Sequence, residues 1–222
     1  MCVCGRYARF TPADIYARLF HAEAEVALTP SYNVAPSQPV LAARHGAGGR
    51  RELITLHWGL IPFWAKDRKM GYRTLNARAE TVASKPAFRQ PFRRRRCLIA
   101  ADGFYEWQRT EGGKQPYFIR LRTGEPFAFA GLWDRWEGEG EIIESCTVIV
   151  TAANALVATI HDRMPVILSP ADHDSWLDPK LQDPRGLQPL LRPYPPDEMV
   201  ASAVGLAVNN PRHDGPELLA AP

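Results

Sequence analysis

The sequence predicts an α+β fold around a curved, mainly antiparallel β-sheet with a few peripheral helices, and three observations carry that reading. Short segments of alternating apolar and polar residues recur along the chain, the Gly112-Gly113 pair separates two of them as a hairpin turn does, and only three stretches carry helical signals. At 222 residues and 45% hydrophobic content the chain is long enough to bury a substantial core, so one domain over 1–222 is expected.

Taken in order, Thr11, Pro12 and Asp14 open a helix on which Ile15, Leu19 and Phe20 recur at helical spacing. Strands follow at 39–44 and 52–60, where Leu53, Thr55 and His57 alternate with Ile54, Leu56 and Trp58. Further strands are expected at 97–101, 116–121, 127–132 and 146–151. Two more helices are signalled, one over 153–160 and one opening at Ser169-Pro170-Ala171-Asp172. Six prolines between Asp178 and Pro196 predict an irregular surface excursion there.

Charge and cysteine usage narrow the function classes. A net charge of +3 does not by itself indicate nucleic acid. Its distribution says more: Arg89 and the run Arg93, Arg94, Arg95, Arg96 suit a polyanion as well as a solvated turn. No apolar run reaches the ~18 residues of a membrane span, and the N-terminus carries no signal-peptide stretch, so a cytoplasmic protein without membrane contact is expected. Cys2, Cys4, Cys97 and Cys146 are too few for a disulfide scaffold in a chain of this length. A zinc site is disfavoured, because the Cys2-x-Cys4 pair has no second paired cluster.

Four islands combine reactive residues with pocket-forming ones. Cys4-Gly5-Arg6-Tyr7 places a thiol near the N-terminus, where a 1,2-aminothiol condenses with an aldehyde to a thiazolidine; the plainer reading is a small buried thiol. Asn76-Ala77-Arg78 puts an amide and a guanidinium on one face if extended, or forms an ordinary Asn-capped loop. Glu106 lies between Tyr105 and Trp107, a setting that would desolvate it and raise its pKa unless it faces solvent. His161, with Asp162 and Arg163 beside it at the end of the 153–160 helix, is the best single proton shuttle or else a helix cap.

Together, and in this order, the islands resemble the SRAP family of SOS response-associated proteins. The likeness spans nearly the whole chain through Cys4-Gly5-Arg6-Tyr7, Tyr32-Asn33-Val34-Ala35-Pro36, Trp58-Gly59-Leu60-Ile61-Pro62, Asn76 to Thr81, Asp102 to Trp107, His161 to Pro165 and Asp214 to Leu218. The resemblance implies a barrel-like sheet, no metal or other cofactor, and a positively charged channel for single-stranded DNA containing abasic sites. It implies a nucleophile at Cys4, Asn76 positioning the N-terminal group, and Glu106 with His161 moving protons. Arg6, Arg78 and Arg163 would hold phosphates, Trp58, Trp64 or Trp107 would stack on bases, and Asn33, Pro36 and Met164 would complete the DNA-binding wall. A monomer is expected.

One departure matters. In the family the cysteine directly follows the initiator methionine, whereas here Cys2 and Val3 precede Cys4. Motif register favours Cys4 as the nucleophile; removal of Met1 alone would instead expose Cys2. Two other readings stay open at this point: a cysteine peptidase or amidase using Cys4, His161 and Glu106, and a noncatalytic reader of single-stranded or modified DNA.

Overall fold

In the computed structural model, which describes residues 4–23, 26, 29–46 and 48–222, the alternating segments pair into two sheets; Cys2 lies outside the described residues. The chain begins with β1 (Tyr7–Arg9), α1 (Ala13–Phe20), β2 (Ser31–Val34), β3 (Pro39–His45), β4 (Arg51–Trp58) and β5 (Asn76–Arg78). A basic helix, α2 (Arg89–Arg94), leads into β6 (Arg96–Ala101), β7 (Gly103–Thr110), β8 (Gly113–Leu121) and the long hairpin of β9 (Phe127–Gly138) and β10 (Glu141–Ala152). Short elements complete it: β11 (Arg163–Pro165), β12 (Ile167–Leu168), α3 (His173–Leu177), α4 (Pro184–Leu187) and β13 (Met199–Ala203).

The larger sheet runs β11-β10-β4-β3-β6-β9-β12, and β9 also pairs with β10. That second pairing joins the ends of the path β10-β4-β3-β6-β9 and closes a five-stranded barrel, which removes the exposed edges of those strands. Most contacts are antiparallel, but β10 meets β4 and β5 in parallel. Alternate barrel residues serve two apolar clusters, as a period of two requires. Leu41, Leu98 and Ala130 pack with Tyr16 and Phe20 of α1 and Trp176 of α3. Val40, Ile99 and Phe129 pack instead with Tyr7, Phe104 and Ile119 of the smaller sheet, whose order is β13-β8-β7-β1-β2.

The chain passes from the barrel into the smaller sheet at Asp102, between β6 and β7. Its buried carboxylate accepts from Phe10 N (2.5 Å), Thr11 N (2.9 Å), Thr11 Oγ1 (2.5 Å) and the Tyr16 hydroxyl (2.7 Å). Its amide donates to Ala8 O at 2.8 Å. The next residue must be glycine, since a Cβ on Gly103 would stand 2.3 Å from the Phe118 ring. This corner fixes β1, too short to hold its register alone, against β7 through Tyr7 opposite Phe104 and Ala8 opposite Gly103.

Three expectations are corrected. Residues 153–160 form turns around a single 3-10 turn, Val157–Thr159, because the Asn154 side chain accepts from Val157 N at 2.9 Å and donates to Tyr194 O at 2.7 Å, bonds that compete with a helix. Thr11 spends its hydroxyl on Asp102 and does not cap α1, which starts after Pro12. The proline-rich 178–196 stretch is irregular but not wholly superficial, since Leu187 and Leu191 enter the core. The Gly112-Gly113 hairpin is formed, with Thr110 opposite Gly113 and φ of +136° at Gly113.

Asp102→Ala strands four donors and is expected to lower the unfolding free energy by about 3 kcal/mol or more, with Asp102→Asn intermediate because one acceptor oxygen survives. Urea titration checks this, and an Ala variant within 1 kcal/mol of the parent, roughly the net worth of one ordinary hydrogen bond, would show that the corner is not what fixes β1.

Candidate active site

Register carries β1 and β7 past their last paired residues and brings the two ends of the sequence motif together. Tyr105 N donates to Arg6 O at 3.0 Å, and one step further the Cys4 N–H donates to Glu106 Oε1 at 2.7 Å, across 102 positions of sequence. Cys4 is fully enclosed and adopts φ of +47°, a left-handed conformation that a non-glycine residue holds only where its surroundings impose it.

Glu106 is 3% exposed, for a reason its neighbours in sequence do not supply. On β7 it shares a face with Phe104, which packs into the cluster under the barrel, whereas Tyr105 and Trp107 lie on the other face against Val208 and Leu218. Burial lifts its carboxyl from an ordinary 4.5 to about 7, against the opposing hydrogen bonds from the Cys4 and Trp107 amides and with added help from the charge of Asp162. A carboxyl so placed exchanges protons at neutral pH.

His161 belongs to the loop after the 3-10 turn, with its amide bonded to Val157 O at 2.9 Å. Its Nδ1 accepts from Arg163 N at 3.1 Å and lies 3.0 Å from Asp162 Oδ1. One ring nitrogen thus faces both a backbone donor and a carboxylate, which favour opposite tautomers. Gln108 holds this loop to β7, donating to Thr159 O at 2.8 Å, and a hollow of about 430 Å³ opens between Trp107–Arg109 and Thr159–Asp162. Asn76 and Arg78 are carried on β5 opposite Val148 and Val150 of β10, Asn76 half-buried and Arg78 exposed. Arg163 sits on the other flank of β10, opposite Ala152, and forms an ion pair with Glu80.

The remaining expected wall residues divide. Trp64 is 46% exposed, beside Phe63 at 49%, in a shallow hollow shared with Pro86, Arg89 and Gln90. This loop is rigidly supported: Phe63 N donates to the buried Asp134 at 3.0 Å, Ile61 N to Ser145 Oγ at 2.7 Å, and Trp136 Nε1 to Ala65 O at 2.7 Å. Pro36 is half-buried in the turn that Ala35 and Gln38 close. Trp107 is half-buried with its Nε1 on Asn209 Oδ1 at 2.7 Å.

Other expected wall residues are enclosed by the fold or engaged within it. Trp58 is wholly buried, its Nε1 on Leu75 O at 3.0 Å and its ring edge-on to Tyr7, so no base can stack on it. Met164 is also enclosed, its sulfur taking the Asn154 N–H. Asn33 is buried and donates to the carbonyls of Val208, Asn210 and His213, binding the C-terminal segment to β2. Arg6, half-buried, gives its guanidinium to Asn33 Oδ1 and to the carbonyls of Val208 and Asn209 and so braces the same segment. Within the arginine run, Arg96 is buried against the carbonyls of Phe92, Arg93, Trp176 and Asp178, and Arg95 pairs with Asp134. Arg89, Arg93 and Arg94 stay exposed. Among the described residues, no group of three or more His, Cys, Asp or Glu is placed to hold a metal, and no helix is long and apolar enough to cross a membrane.

Residues 3–211 match the family model described as SOS response associated peptidase (SRAP). The chain is 46% identical over 222 residues to the Bacillus subtilis protein named abasic site processing protein YoqW, covering 98% of this chain and 99% of that one. It is 36% identical over 222 residues to abasic site processing protein HMCES of Gallus gallus, covering 86% of this chain and 66% of that one. A crystal structure of a Bacteroides thetaiotaomicron protein superposes with a TM-score of 0.90 at 28% identity, covering 99% of this chain and 100% of that one.

Burial of the Glu106 carboxyl couples folding to pH. The folded chain holds this proton more tightly than the unfolded chain, so the group favours folding fully below about pH 4.5 and that contribution is lost as pH rises through about 7. Glu106→Gln, which cannot ionise, is expected to gain stability relative to the parent between pH 4.5 and pH 8, by on the order of 3 kcal/mol. Urea titrations across that range check it; a stability difference independent of pH would mean that the carboxyl is not desolvated.

Proposed function

The chain belongs to the SRAP family, and from that membership we propose that it captures abasic sites in single-stranded DNA as a covalent DNA–protein crosslink formed by Cys4. The observation that carries this reading is the 2.7 Å contact between the Cys4 nitrogen and the Glu106 carboxyl, because the nitrogen is the atom that must attack an aldehyde. Glu106 Oε1 accepts from the Cys4 nitrogen, the atom that aldehyde chemistry uses, and this contact favours that reading over a cysteine peptidase, in which a general base serves the thiol.

In this mechanism Cys4 is the first residue of the mature chain. The abasic deoxyribose opens to its aldehyde as His161 gives a proton to the departing ring oxygen. The Cys4 α-amine adds to the carbonyl carbon, water leaves to give a Schiff base, and the thiolate closes on the imine carbon as a thiazolidine. Glu106, with its carboxyl near 7, takes the proton from the attacking amine and returns one to the departing water. Asn76 orients the amine. Arg78 and Arg163 hold flanking phosphates, the exposed Trp64 stacks on an unpaired base, and Arg89, Arg93 and Arg94 extend the basic surface. A family match that begins at residue 3 supports Cys4 over Cys2 as the nucleophile.

Denaturing gel electrophoresis after mixing the protein with an abasic single strand tests this. The parent is expected to give a heat-stable shifted band and Cys4→Ala none. Glu106→Gln is expected to form the band about 10²-fold more slowly, the low end for general acid–base catalysis, with nearly unchanged affinity for undamaged strands. A band of parental yield from Cys4→Ala would remove Cys4 from the chemistry, and equal losses of rate and affinity in Glu106→Gln would make that residue structural.

A further inference from the structure

A carboxylate already occupies one of the guanidinium groups expected to receive a DNA phosphate. β5 and β11 flank the same end of β10, with Val150 opposite both Arg78 and Pro165 and Ala152 opposite Arg163. The chain leaves β5 with Ala79 N donating to Val150 O at 2.8 Å, and the Gln188 side chain donates from Nε2 to Ala79 O at 2.7 Å, so both backbone groups of the residue before Glu80 are held. From there the Glu80 carboxylate reaches Arg163 Nη1. Neither partner is buried: the Glu80 side chain is 49% and the Arg163 side chain 23% exposed. Burial, which would raise the Glu80 carboxyl, is outweighed by its own amide, by Arg163 and by the charge of Arg78, so it stays ionised.

We propose that Glu80 is an intramolecular stand-in for a DNA phosphate, which must be displaced from Arg163 before the backbone of a strand can bind there. The inference rests on the DNA reading above and adds the source of its selectivity. Carboxylate and phosphate present the same acceptor geometry to a guanidinium, so the two compete for one fork. Affinity for undamaged strands comes almost wholly from phosphate contacts and is reduced by this competition. Covalent capture of an aldehyde does not depend on that equilibrium, so the competition lowers the hold on undamaged DNA more than it lowers the final yield at a lesion.

The test measures fluorescence anisotropy of a labelled oligothymidine with the full chain at several salt concentrations. Glu80→Gln keeps the shape and removes the charge. It is expected to bind oligothymidine about three- to five-fold more tightly, the size expected of one partly exposed ion pair. Its log–log salt dependence should steepen by about 0.7, one further phosphate contact. In an Arg163→Ala background the gain from Glu80→Gln should vanish. Excess oligothymidine should slow crosslinking to an abasic strand more in Glu80→Gln than in the parent. Equal or weaker binding by Glu80→Gln would overturn the proposal and leave Glu80 as a support that orients Arg163, and a gain that persists without Arg163 would overturn it as a general charge effect. Failure of both proteins to bind oligothymidine or to crosslink an abasic strand would sink the DNA reading, and this inference with it.

Discussion

One buried carboxylate, Asp102, holds the arrangement on which the rest depends. β1 has only three residues, and two adjacent pairings do not by themselves select one register. By gathering the donors of Phe10, Thr11 and Tyr16, Asp102 ties the end of β1 and the start of α1 to the point where the barrel turns into the smaller sheet. A slip of one residue would unpair four donors at once and move Cys4 away from Glu106. The Cys4–Glu106 contact therefore depends on a polar corner whose atoms do not themselves touch it.

Burial then sets the reactivity. Barrel closure encloses the face of β7 that carries Phe104 and Glu106, and the same desolvation that raises the Glu106 carboxyl toward 7 makes it costly to keep ionised. The fold thus gives up stability at one residue, and the proposed proton transfer by Glu106 draws on that cost. His161 is handled differently, on a loop held by Gln108 and Asn154, with a backbone donor and a carboxylate competing for one ring nitrogen. The exposed Arg78 and Trp64 and the half-buried Arg163 stand on strands and on a braced loop that leave little freedom to adjust.

Period-two alternation made the central strands β3, β4, β6, β8, β9 and β10 legible, because their residues divide between two apolar clusters, but not the short β1, β2 and β13. It did not reveal the lengths of β9 and β10, whose outer halves, from Asp134 to Ser145, carry charges that read as loop until the Glu139-Gly140 turn, with both residues at positive φ, pairs them. Nor did it reveal β5, β11 and β12, which are strands only because β10 and β9 offer them edges. The helix expected at 153–160 failed because a propensity pattern carries no account of what Asn154 bonds to. In the candidate site, Cys4 and Glu106 were singled out from their chemistry, and the structure places them in contact. Motif membership could not separate Trp58, Met164 and Asn33, which are buried, and Arg6, which is half-buried, from Trp64 and Arg78, which are exposed. The Glu80–Arg163 pair was beyond reach, because it depends on two strands meeting across a third.

The central claim is that Cys4 meets the lesion as an N-terminal aminothiol. Mass spectrometry of the protein before and after reaction with an abasic strand, with fragmentation of the nuclease-trimmed adduct, tests it most directly. The account expects a mature chain lacking Met1, Cys2 and Val3, and an adduct whose added mass maps to Cys4 with loss of water, leaving neither a free amine nor a free thiol on that residue. A crosslinked species that retains Met1, or an adduct on a lysine, would contradict it, since no free aminothiol would then exist at Cys4.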